Sequence, residues 1–103
     1  MARDVSVLEA AQLADDGKAV LLDVRDPDEW YDVRAPGALH IPMRQLSTSI
    51  EQLPKRGLIA CICHVGMRSA IVADALVGAG YDAVNVAGGM NAWEAAGLPV
   101  ERG

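Results

Sequence analysis

Three short runs constrain this chain more than anything else in it: "AVLLDVR" (Ala19–Arg25), "LIACI" (Leu58–Ile62) and "DAVNV" (Asp82–Val86). In the first two, apolar residues stand at successive positions rather than alternate ones, so both faces of each strand need cover. Each run is followed by a turn and then a helical pattern. Strands alternating with helices in this way specify an α/β fold: a central, mostly parallel five-stranded sheet with helices on both faces. A chain of 103 residues closes one core of this kind, so residues 1–103 are expected to form a single domain.

The punctuation agrees with that layout. "SVLE" has the form of a capping box, so a helix should open after Ser6, with Glu9 reaching back, and run to about Asp16 before Gly17. "DPDEW" opens a short helix: Asp26 as N-cap, Pro27 where no N–H is needed, and Asp28 and Glu29 favoured by the helix dipole. Pro36-Gly37 marks a turn before a short strand through Leu39 and Ile41 that Pro42 stops. The Ser47-Thr48-Ser49 cluster predicts the cap of a brief helix ending before Pro54. Ser69–Ala79 reads as a buried helix closed by Gly80. A last helix follows "GG" at 88–89, with Gly97 beyond its end and Trp93 as a core anchor; Trp30 can serve as core or surface.

Composition excludes several function classes. A net charge of -5 with no basic stripe argues against nucleic acid and against an anionic membrane surface. No run approaches the roughly 18 apolar residues of a membrane span. The start, "MARDVSVLEA", lacks an apolar signal core, which makes a cytoplasmic location the expectation. Cys61 and Cys63, two apart on an extended strand, have Cα atoms roughly 6.7 Å apart. A disulfide wants Cβ atoms at about 3.5–4.5 Å, so a cysteine with a chemical task is the better reading.

That task falls to Cys63. In an open parallel sheet ligands collect outside the carboxyl ends of the strands, and "CHVGMRSA" begins at such an end and runs into a helix. Unpaired N–H groups at the helix mouth favour an anion, so a thiol there is held partly as thiolate. Gly66 allows a backbone turn that brings successive amides onto the sulfur. Arg68 offers fork-shaped donors for a small oxyanion or for bracing the loop. His64, Val65, Met67 and Ser69 complete the loop, His64 as lining rather than as a base. Asp23 and Arg25, at the end of their strand, can pair and support the loop from beneath. Cys61 belongs to the core, with a resolving role open only if the backbone bends.

Four stretches, "LLDVRDPDEW", "PGALHIP", "CHVGMRSA" and "NVAGGMNAWEAAGLPV", stand in the order and spacing of a rhodanese domain, and the chain resembles that family over nearly its whole length. The resemblance implies a rhodanese-type sulfurtransferase, similar to thiosulfate:cyanide sulfurtransferases. In it Cys63 takes a sulfane sulfur from thiosulfate or a persulfide, low-molecular-weight or protein-borne, and passes it to a thiol or cyanide. The persulfide would be held by the loop amides of residues 64–68, with no cofactor. Where the family commonly reads Gly-His-Ile-Pro-Gly-Ala, this chain has Val33-Arg34-Ala35-Pro36-Gly37-Ala38. Its loop is also less cationic than loops suited to thiosulfate.

Three rivals follow from the same residues. A cysteine phosphatase or arsenate reductase of related fold separates its cysteine and arginine by five residues, whereas four lie between Cys63 and Arg68. The tighter ring suits one sulfur and cramps a tetrahedral oxyanion. A non-catalytic module of the same fold normally goes with loss of the loop cysteine, which is present. A metal site on Cys61, Cys63 and His64 offers three crowded ligands, a poor cage for zinc.

Overall fold

The computed structural model describes residues 1–103. Its central sheet has the order β1-β6-β5-β2-β4, with every pairing parallel: β1 (Asp4–Val5), β2 (Ala19–Asp23), β4 (Leu39–His40), β5 (Leu58–Ile62) and β6 (Asp82–Val86). The helices are α1 (Val7–Asp15), α2 (Pro27–Asp32), α3 (Leu46–Ser49), α4 (Met67–Gly78) and α5 (Gly89–Ala95). A separate two-stranded antiparallel ribbon joins β3 (Val33–Arg34) to β7 (Glu101–Arg102). No helix is long and apolar enough to cross a membrane.

Strand alternation sorts the core into two layers. From β5, Ala60 and Ile62 pack on one face with Val7, Ala10, Met90 and Trp93 of α1 and α5. Ile59, Cys61 and the following Cys63 pack on the other with Val72, Ala73 and Leu76 of α4. Ser69, Val72, Ala73 and Leu76 recur at helical spacing and form the buried stripe of α4. Leu22, Ile59, Ile62 and Leu76 are fully enclosed, each side chain contributing roughly 1.5–3 kcal/mol by leaving water. Trp93 is the core anchor expected, its indole N–H donating to the Pro99 carbonyl at 2.8 Å. The face of Trp30 is stacked on His40, with ring centroids 4.6 Å apart.

Several boundaries differ from the sequence reading. Ser6 caps α1 by accepting from the Glu9 amide at 3.1 Å. The reciprocal contact forms instead in α2, where Glu29 Oε1 accepts from the Asp26 amide at 3.1 Å. The Ser47-Thr48-Ser49 cluster is inside α3 rather than at its start; a 3-10 turn over Met43–Gln45 leads in from Pro42 and a second, Ile50–Gln52, leads out. β2 ends at Asp23, although Val24 still donates to the Ile62 carbonyl at 3.1 Å and accepts from the Met43 amide at 2.9 Å, and α4 begins two residues earlier than expected, at Met67. At the departure Val33-Arg34-Ala35, Val33 and Arg34 pair with β7, and Val33 and Ala35 are buried in the core layer that holds Trp93 and Met90.

Candidate active site

Cys63 follows directly on β5, the middle strand of the sheet, and the chain folds back to α4 through His64, Val65 and Gly66. Gly66 makes the reversal at φ +101, a conformation that side-chain-bearing residues avoid. The peptide groups of the loop are sorted by direction. Its carbonyls face α5: Cys63 O accepts from the Met90 amide at 2.7 Å and His64 O from the Asn91 amide at 2.9 Å. Its amides therefore point the other way. The Gly66 N–H donates to Cys63 Sγ at 3.1 Å, the Ser69 N–H at 3.4 Å and the Ser69 hydroxyl at 3.2 Å.

This convergence sets the chemistry of the sulfur. Burial alone would push the Cys63 thiol up, but the Ser69 hydroxyl and the amides of Ser69, Gly66 and Val65 together outweigh it and hold the thiol below its usual value of 9.0. Cys61 has no such donors. Burial, reinforced by the neighbouring Cys63, raises its thiol to about 12, and both cysteines are free. Both cysteines are buried in the same core layer, but only the Cys63 sulfur is met by hydrogen-bond donors.

Arg68 makes no hydrogen bond to the sulfur. Its guanidinium forms a two-pronged pair with Glu29 of α2, Nη1–Oε1 at 2.7 Å and Nη2–Oε2 at 2.9 Å. Arg68 holds the Glu29 carboxyl down at about 2, and Glu29 raises Arg68 in turn. Of the two roles open to Arg68, the geometry is that of bracing. Asp23 and Arg25 do pair, with Arg25 Nη2 at 2.8 Å from Asp23 Oδ2, but the spare donors of Arg25 go to Val33 O at 2.6 Å and Glu29 O at 3.4 Å. Their support thus runs to α2 and β3 and reaches the loop only through Glu29. His64 points outward beside a cavity of about 200 Å³ that Arg25, Glu29, Asp32 and Glu94 also line. Val65 and Met67 form an apolar rim, 49% and 74% exposed, continued along α4 by Ile71. No group of His, Cys, Asp and Glu side chains is arranged to hold a metal ion.

Three contributors escaped the sequence reading. In the sequence Glu29 reads only as a residue favoured by the helix dipole, yet it is the partner of Arg68. Gly89 lies under the loop: a Cβ there would collide with the Cys63 carbonyl oxygen and stand 2.6 Å from that of His64. The signal was the doubled glycine before a helix. Asn85, on the strand beside β5, accepts from the Ser69 hydroxyl at 2.6 Å. Its signal was a polar residue near the carboxyl end of an otherwise apolar strand.

Residues 6–96 match the family model of the rhodanese-like domain. The YtwF protein of Bacillus subtilis, named as a candidate sulfurtransferase, is 40% identical over 79 residues, 77% of each chain. The thiosulfate sulfurtransferase GlpE of Coxiella burnetii is 33% identical over 96 residues, 92% of this chain and 90% of its own. Among solved structures, a rhodanese-related protein of Thermoplasma volcanium superposes with a TM-score of 0.90 at 28% identity, over 96% of this chain and 97% of that one.

Proposed function

The chain belongs to the rhodanese-like domain family, whose named relatives support a sulfurtransferase-type function for it, and on that premise we propose that Cys63 is the nucleophile and sulfur carrier. The Cys63 thiolate attacks the sulfane sulfur of a donor. The donor's bond to that sulfur breaks, the donor leaves, and Cys63 holds the sulfur as a persulfide. An acceptor, a thiol or cyanide, then attacks the outer sulfur and Cys63 departs as thiolate. The amides of Gly66 and Ser69 and the Ser69 hydroxyl serve the thiolate as nucleophile and again as leaving group. The observation that carries this reading is the convergence of those three donors on Cys63 Sγ.

A persulfide donor suits the site better than thiosulfate. The loop's one cation, Arg68, is engaged by Glu29, and the exposed rim is Val65 and Met67 rather than lysine or arginine. The same engagement leaves an aryl phosphate or arsenate without the guanidinium that a cysteine phosphatase or arsenate reductase turns toward its oxyanion. The test is mass spectrometry after incubation with a low-molecular-weight persulfide and, separately, with thiosulfate. A gain of one sulfur atom on Cys63 is expected, more readily from the persulfide, with no gain and no turnover in Cys63→Ser. Turnover surviving in Cys63→Ser would refute the assignment, and preferential loading from thiosulfate would refute the donor class.

A further inference from the structure

The Ser69 hydroxyl carries one proton and stands between two acceptors, Cys63 Sγ at 3.2 Å and Asn85 Oδ1 at 2.6 Å. It can serve one of them at a time. Which end of the Asn85 amide faces Ser69 is fixed from the other side. Asn85 Nδ2 lies 3.1 Å from Asp4 Oδ1 and 3.3 Å from the Gly66 carbonyl oxygen, both acceptors, so the NH2 must point at them and the carbonyl oxygen at Ser69. Asp4 sits directly opposite Asn85 in the β1–β6 pairing, and Asn85 is 5% exposed. An amide oxygen that buried, whose one donor is Ser69, is costly to leave unpaired.

We infer that Asn85 is a positioning residue for the nucleophile: pinned by Asp4 and the Gly66 carbonyl, it competes with Cys63 Sγ for the Ser69 proton and so favours the sulfur-loaded over the thiolate form. When the inner sulfur is uncharged, as thiol or persulfide, Ser69 donates to Asn85 and every group is satisfied. When Cys63 is thiolate, Ser69 turns to Sγ and Asn85 Oδ1 is orphaned. In loading, the Cys63 thiolate attacks the outer sulfur of R–S–SH and the donor's S–S bond breaks. The R–S group leaves as the thiol R–SH with the proton of the transferred sulfur, and the negative charge passes to the outer atom of the Cys63 persulfide. Ser69 is thereby released to Asn85. The loaded-state half of this inference rests on Cys63 as the sulfur carrier; the half concerning the Ser69 proton does not.

The test uses Asp4, at the exposed edge of the network. Without it, as in Asp4→Ala, the Asn85 amide keeps only its longer anchor, the Gly66 carbonyl at 3.3 Å, so its NH2 turns toward Ser69 Oγ in a larger share of molecules, and in those the hydroxyl donates to Sγ without competition. The pH profile of Cys63 alkylation by iodoacetamide should fall by roughly 0.5–1 pH unit, the range that one net hydrogen bond supports. The other ionisable groups around the sulfur, namely Cys61, His64 and the Arg68–Glu29 pair, are unchanged. Asp4→Asn keeps an acceptor oxygen and removes the charge, so its profile should return to that of the wild type. In a Ser69→Ala background Asp4→Ala should have no effect. In exchange with glutathione persulfide, Asp4→Ala should load about three- to tenfold less at equilibrium. A merely structural role predicts the opposite sign, because a loosened loop loses amide donors and the profile rises. A rise or no shift, an equal fall in Asp4→Asn, or a fall that persists without the Ser69 hydroxyl would each overturn the inference. Because alkylation needs no sulfur transfer, a correct alkylation pattern with no loading of any variant would instead indict the carrier role.

Discussion

Replacing Glu29 by Gln tests whether the loop is held by a charged clamp. The side chain keeps its shape but loses its charge and one acceptor, so the two bonds from Arg68, 2.7 and 2.9 Å, cannot both survive. The Glu29 carboxyl is held at about 2 against an ordinary 4.5, and fully expressed that difference would be worth roughly 3 kcal/mol. The two side chains are 30% and 34% exposed, however, and water screens them. About half, roughly 1.5 kcal/mol, is the expected loss of stability at neutral pH. The pH dependence follows from the sign of the shift. A depressed carboxyl contributes fully above 4.5, and the contribution drains away as pH falls toward about 2. Urea unfolding of wild type and Glu29→Gln, followed by tryptophan fluorescence at pH 7, 4 and 2.5, should show a gap that narrows with acidity. Arg68→Ala should lower the midpoint comparably at pH 7, and the two substitutions together should cost less than their sum. A gap that is constant across this range would refute the clamp as the source of the difference.

Three further outcomes are expected. Gly89→Ala forces a Cβ into the Cys63 carbonyl oxygen at a φ of +55, and should cost about 3 kcal/mol in denaturant midpoint while raising the pH at which Cys63 is alkylated; an unchanged profile would separate the loop from α5. Alkylation mapped by peptide mass should find Cys63 reacting below pH 9 and Cys61 silent until the protein unfolds, since its thiol is held up near 12. Cys61→Ser should accordingly keep most of the transfer activity and lose some stability; abolished transfer in a folded variant would give that residue a chemical role.

What could be read from the sequence was whatever is local. Leu58–Ile62 announced itself by apolar residues on both faces, and Cys63 by following that strand and preceding a helix with a glycine between. Gly66 could be assigned a turn because no other residue tolerates it there. The two-residue strands β1, β3, β4 and β7 are too short for any period to register; Pro36-Gly37 and Pro42 mark β4, whereas β1 takes the free edge of β6 and β3 and β7 pair only with each other. The stretch from Met43 to Gln52 has Ser and Thr at positions that suggest a cap, but Pro42 and burial against α4 begin the turn earlier. Arg68 had two roles open because its partner stands 39 residues away, and no spacing rule connects them. Asn85 was hidden for the same reason: its neighbours come from β1, the loop and α4, and only the closed sheet brings them together.

That closure has a consequence for how the molecule acquires its reactivity. The strand bearing Asp4 pairs with the one bearing Asn85, near opposite ends of the chain, and the Ala2 amide reaches Asp74 at 2.7 Å. Such remote pairings carry a high loop-closure cost. A chain that has extruded β5 but not β6 and α5 lacks the Met90 and Asn91 amides that hold the Cys63 and His64 carbonyls, so the loop amides have no fixed direction. The hydrogen-bond environment that lowers the Cys63 thiol is complete only once α5 has docked.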